Sequence, residues 1–228
     1  MVDFEYRDFY EVEDLVRIVS VLRGPGGCPW DAEQDHASIR RDMLEEAYEV
    51  VEAIDQNDPD GLKEELGDVL LQVVFHTSLE QEVNGLTLDQ VADGICKKLI
   101  YRHPHVFGEV TVSGTGEVLS NWEKLKRVEK GQKTDTDALR AVARSLPALW
   151  RAEKVQKKAE KAGIPIPDSR ELAGTLADLA ARTGESLTEQ DMGRLLFDAV
   201  ALARKNGIDP EAALTAATDA FIGQAERS

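Results

Sequence analysis

Apolar residues recur at helical spacing along nearly the whole chain, and glycine and proline clusters fall where each helix has to stop. Strand-like alternation is almost absent, so the pattern predicts an all-α fold. The most constraining segment is Val69-Leu70-Leu71-Gln72-Val73-Val74-Phe75, which is apolar nearly all round. A helix with that surface has to be enclosed by others, which puts it at the centre of a bundle. At 228 residues, 42% hydrophobic and 31% charged, the chain can bury one sizeable core or two small ones.

The breakers divide the chain into expected helices. The first covers Tyr10 to Leu22 and stops at Gly24-Pro25-Gly26-Gly27. Asp31 with Gln34 three residues on is a capping-box pattern that would launch a helix reaching Asp55. Further helices are expected from Gly61 to Glu82, from Thr87 to Arg102 and around Asn121 to Lys126, then from Leu146 to Lys161, Glu171 to Arg182, Glu189 to Asn206 and Pro210 to Ala225. Residues 130–137 lack apolar side chains, which suggests a domain over 1–129, a linker over 130–145 and a second helical domain over 146–228.

With 27 basic and 43 acidic residues the net charge is -16, which argues against nucleic-acid or anionic-membrane partners. A phosphate-bearing ligand would need local cations or a metal. Cys28 and Cys96 do not suggest a disulfide framework. The first residues lack the apolar core of a signal peptide and no run approaches the ~20 apolar residues of a membrane span, so a cytoplasmic location is expected.

The acids are not spread evenly. Glu45, Glu46 and Glu49 share one expected helix, on which Met43, Leu44, Ala47, Val50, Val51 and Ile54 form an apolar arc opposite the acids. Glu65 and Asp68 share a face of the next. Facing each other, these groups would be driven to protonate unless a cation intervened, and an all-oxygen set favours magnesium, manganese or calcium over zinc. Gly67 leaves room beside Asp68. A solvated acidic face would explain the same residues, although Glu65 and Asp68 lead directly into the most apolar helix.

Lys98 and Arg102, and Trp122 and Lys126, are each four apart and so share a helix face. Three cations and an indole would suit a triphosphate and its nucleoside, while dipole compensation and core filling are the structural alternatives. Trp30 and Asp31 can face a substrate or pack a loop, and His103 and His105 shape a turn about Pro104.

A weak repeat sets Leu66-Gly67-Asp68-Val69-Leu70-Leu71 against Met192-Gly193-Arg194-Leu195-Leu196-Phe197. In the second copy Glu65 meets Asp191 and Asp68 meets Arg194, while Glu45, Glu46 and Glu49 meet Ala173, Gly174 and Ala177. Apolar positions persist and charged ones vanish, as expected of a copy kept for packing.

Cys28-Pro29-Trp30-Asp31, the paired E-E-x-x-E and E-x-x-D motifs, Arg102-His103-Pro104-His105-Val106-Phe107 and Asn121-Trp122-Glu123-Lys124 together resemble the MazG nucleoside triphosphate pyrophosphohydrolases. The resemblance implies a bundle of the all-α NTP pyrophosphatase type with two related halves, the second degenerate, pairing as a homodimer. It implies magnesium-dependent hydrolysis of a nucleoside triphosphate to monophosphate and pyrophosphate. On matching positions it makes Glu46, Glu49, Glu65 and Asp68 metal ligands, Glu45 a support for the attacking water, and Lys98, Arg102, Trp122 and Lys126 substrate contacts. Two other readings remain: a di-iron or di-manganese carboxylate bundle, for which only Glu33-Gln34-Asp35-His36 supplies the usual E-x-x-H pair, and a non-catalytic helical dimerisation or regulatory module.

Overall fold

The computed structural model describes residues 2, 4–181 and 187–225, and among these it is built of helices with no strand. Contacts gather the chain into two compact units, Met1–Val112 and Ser113–Ser228.

In the first unit α1 (Val12–Arg23) and α4 (Pro59–Asn84) enclose a core of Val19, Ile39, Val74, Phe75 and Leu79, with Leu15, Val16, Leu70, Leu71 and Leu88 packed on it. The 26-residue α4 is the central helix that its apolar run demands. Pro59 stands in its first turn, the Asp58 side chain accepts from the backbone N–H groups of Asp60 and Gly61, and Gly85 closes it in the left-handed conformation at φ 70°. Next comes α5 (Leu88–Arg102), capped reciprocally by Thr87 and Gln90, and a single turn, α6 (Pro104–Phe107).

The helix expected from Asp31 to Asp55 is two helices. Asp31 lies inside α2 (Pro29–Glu33), which begins at Pro29 with Cys28 as its cap, and α3 runs over Asp42–Asp55. Between them the Asp35 carboxylate takes the backbone N–H groups of Ala37 and Ser38 at 2.8 Å, and the Ser38 hydroxyl bonds back to the Asp35 carbonyl. That local alternative competes successfully with the helix, and it turns Ile39 into the core. Sharp entry into α2 depends on Gly27, where any side chain would collide with the carbonyl oxygens of Val21 and Leu22.

The apolar arc of α3 is not covered within this chain. Leu44, Tyr48, Val51 and Ile54 are each about half exposed, while the positions turned toward α4 are Met43, Glu46, Val50 and Ala53. Most of α5 is likewise open, with Val91, Ile95, Leu99, Ile100 and Tyr101 exposed.

The second unit contains α7 (Thr115–Glu129), α8 (Asp135–Arg140), α9 (Ala148–Lys161), α10 (Ser169–Ala181), α11 (Glu189–Lys205) and α12 (Pro210–Ala225). Of these, α9 to α12 match the expected helices to within a few residues, with Arg182, the expected end of one of them, outside the described residues, while α7 extends beyond the expected Asn121 to Lys126 at both ends. The segment expected as a linker lies inside this unit and holds α8, capped by Thr134 and Asp137, with Ala138 and Val142 buried. Buried Gln156 of α9 donates to the Phe197 carbonyl of α11 at 2.8 Å. Across α10 and α11 the Thr175 hydroxyl donates to the buried Asp198 carboxylate at 2.7 Å.

Candidate metal and nucleotide site

Helices α3 and α4 pack side by side, and their contact face carries acids where apolar residues would ordinarily sit. Glu46 falls in the Met43, Glu46, Val50, Ala53 series, and Glu65 and Asp68 are half-buried on α4 one turn apart. One carboxylate oxygen from each of Glu46, Glu49 and Glu65 lies within 4.8 Å of the other two. Asp68 is close enough that its charge acts on both Glu46 and Glu65. Glu45 is exposed and stands outside this group.

The electrostatics show what such a group lacks. Partial burial, then carboxyl contact with Glu49 and repulsion from Asp68, Glu49 and Glu65, hold the Glu46 carboxyl above its ordinary range. For Glu65 burial again leads, followed by the negative charges of Glu49, Glu64 and Asp68. Carboxyls so placed either share protons or share a cation. The donor set is all oxygen, which fits a hard divalent ion and disfavours a thiolate- or imidazole-seeking one. Among the described residues it is the only group with this capacity.

Lys98 and Arg102 stand one turn apart on α5 of the same unit, Lys98 exposed and Arg102 only 7% exposed. Trp122 and Lys126 belong to α7 of the other unit, with the Lys126 ammonium 4.6 Å from the centre of the indole. Trp30 is 60% exposed on α2. The position of α2 rests on Arg23, which the sequence did not single out. Its guanidinium donates to the Asp31 and Gln34 carbonyls and to the Glu82 carboxylate, and it lies 5.1 Å from the centre of the Phe75 ring. No local pattern signals a partner 59 residues away.

The match to known proteins falls on these helices. Residues 34–107 fit the model of the MazG nucleotide pyrophosphohydrolase domain. The chain is 40% identical over 221 residues to the nucleoside triphosphate pyrophosphohydrolase of Escherichia coli, covering 92% of this chain and 84% of that protein. The chain belongs to the MazG family. A second MazG relative, the nucleoside triphosphate pyrophosphohydrolase/pyrophosphatase of Thermotoga maritima, is 39% identical over 92% of this chain and 82% of its own length. YabN of Bacillus subtilis is 41% identical over 93% of this chain, which spans only 45% of that longer protein. The MazG match contains Glu45, Glu46, Glu49, Glu65, Asp68, Lys98 and Arg102, whereas Trp30, Trp122 and Lys126 lie outside it.

Proposed function

We propose that this MazG protein is a hydrolase that cleaves a nucleoside triphosphate between its α- and β-phosphates, releasing a monophosphate and pyrophosphate. The observation that carries the reading is the meeting of Glu46, Glu49 and Glu65 within 4.8 Å, in a chain whose relatives bear that activity in their names. Magnesium, or manganese in its place, would supply charge compensation for the triphosphate and activation of water. Glu46, Glu49 and Glu65, with Asp68 beside them, would hold it, and the raised proton affinity of Glu46 and Glu65 is the strain that such a cation relieves.

Each remaining group has a role its chemistry fits. Glu45, exposed next to the cluster in sequence, would support the attacking water. Lys98 and Arg102 counter charge on the departing pyrophosphate. Lys126 serves the same end, while Trp122 and Trp30 offer apolar faces to the nucleoside. The half-exposed Leu44, Tyr48, Val51 and Ile54 of α3 support a homodimer in which a second copy covers them. The second half, in which Ala173, Gly174, Ala177 and Arg194 replace the acids, has a packing role. No helix is long and apolar enough to cross a membrane among the described residues, and we assign the protein to cytoplasmic housecleaning of nucleotide pools.

The test is a screen of nucleoside triphosphates for pyrophosphate release with magnesium, the monophosphate verified by mass. Glu49→Gln and Asp68→Asn should each remove turnover. Wild-type rates in either variant would defeat the assignment of the site.

A further inference from the structure

Against a whole-chain charge of -16, residues 113–162 hold twelve lysines and arginines and only seven aspartates and glutamates. Part of this reversal lines a cleft of about 460 Å³ within the second unit, between α7, α8 and α9. Its cations are Lys124, Arg127, Lys158 and Lys161, and its acids are Glu123 and Asp135. Arg127 pairs with Asp135 at 2.9 Å and Lys158 reaches Glu123 at 3.8 Å. Lys124 and Lys161 have no ion-pair partner within 4.0 Å among the described residues. The cleft therefore has two cations in excess of its own acids, in a protein whose summed field drives anions elsewhere. Gly116 and Ser120, also on the wall, leave space and a hydroxyl for hydrogen bonding.

We infer that this cleft is a second anion site, separate from the acidic cluster, which takes the pyrophosphoryl group of a small phosphate-bearing molecule. Two adjacent phosphates carry charge enough for Lys124, whose charge also acts on Glu117 outside the lining, and Lys161, and the volume admits either inorganic pyrophosphate or a nucleotide that bears the same group. A metal-chelated triphosphate is the wrong ligand here, because its charge is already partly neutralised and the wall has no surplus carboxylate to share the ion. On α7 the lining residues Gly116, Ser120, Glu123 and Arg127 follow helical spacing along a face turned away from Trp122, so a ligand in the cleft does not occupy the indole. The inference does not require the acidic cluster to be catalytic.

The experiment is calorimetric titration of the full chain with sodium pyrophosphate in EDTA, which silences any magnesium site. Wild type and Glu65→Gln should bind pyrophosphate alike, and the double variant K124A/K161A should bind about tenfold or more weakly. Both lysines are exposed, so the double variant should keep its helical content and melting temperature. A parallel arm titrates a non-hydrolysable nucleoside triphosphate into wild type and K124A/K161A: binding tighter than that of pyrophosphate and weakened in the double variant names a nucleotide as the occupant, and nucleotide binding that the double variant leaves unchanged names the free anion. Equal affinity in wild type and K124A/K161A, no heat with wild type, or full displacement by sulfate at matched ionic strength would each overturn the site. Loss of binding in Glu65→Gln alone would move the anion to the acidic cluster and overturn it too.

Discussion

Glu46 occupies a helix-packing position that ordinarily belongs to leucine, and that single placement explains most of the site's behaviour. A carboxylate there costs stability unless something shares its charge, and function and folding therefore pull in opposite directions. Removing one of the crowded charges should expose the conflict. Glu65→Gln is expected to melt higher than wild type in EDTA at pH 8, because Glu49, Glu64 and Asp68 no longer repel the side chain. The same variant should lose the stabilisation that magnesium confers, about 2.7 kcal/mol for wild type at a hundredfold excess over Kd. Turnover should fall at least about 100-fold, since disturbing even the outer partners of a metal costs roughly 10- to 100-fold. Paired thermal melts with and without magnesium check it, and a variant that melts lower in EDTA and still responds to the ion would contradict it. Gly67 offers a contrast: apart from its own helix backbone, nothing lies within 4 Å of the place a methyl carbon would take, so Gly67→Ala should gain roughly 0.5–1 kcal/mol of helix stability in denaturant titration.

At the scale of elements, the turn between α2 and α3 decides how α3 approaches α4. It is tied down by His36, whose Nδ1 lies 2.8 Å from Nδ1 of His76 on α4 and whose Nε2 lies 3.2 Å from the Glu80 carboxylate. Burial, then the neighbouring His36, lowers the His76 pKa from its ordinary 6.5. The unfolded chain thus takes up a proton below 6.5 that the folded His76 refuses. Stability should be unaffected by this group above that pH and should fall as the pH drops below it, until the folded imidazole itself titrates. His76→Gln should flatten this part of a stability profile measured by urea denaturation between about pH 7.5 and 5. An unchanged slope would show that the pair does not sense protons. At the other end of α2, Gly27 is tightly confined: Gly27→Ala drives a methyl into two backbone carbonyls and should cost roughly 1–3 kcal/mol, visible as an earlier urea midpoint.

For the molecule as a whole, the open faces of α3 and α5 are an unmet demand for cover. Sedimentation should give twice the 25.2 kDa chain mass, and Val51→Glu with Ile54→Glu should return it to one chain, since two charges in a buried apolar contact cannot be accommodated. A wild-type monomer would refute this. Residue pattern alone set most of the helices, the cap at Thr87 and the central place of α4, and it pointed to Glu46, Glu49 and Glu65, because 3.6-residue periodicity and capping are local and leave local marks. It did not determine the break at residues 34–41, the bond of Arg23 to Glu82, or which arc of α3 meets α4. Tertiary contacts decided those: amphipathic patterning ranks faces by hydrophobicity, whereas the face set against α4, Met43, Glu46, Val50 and Ala53, takes in a carboxylate and leaves Leu44, Tyr48, Val51 and Ile54 open, a choice governed by contacts between residues far apart in sequence.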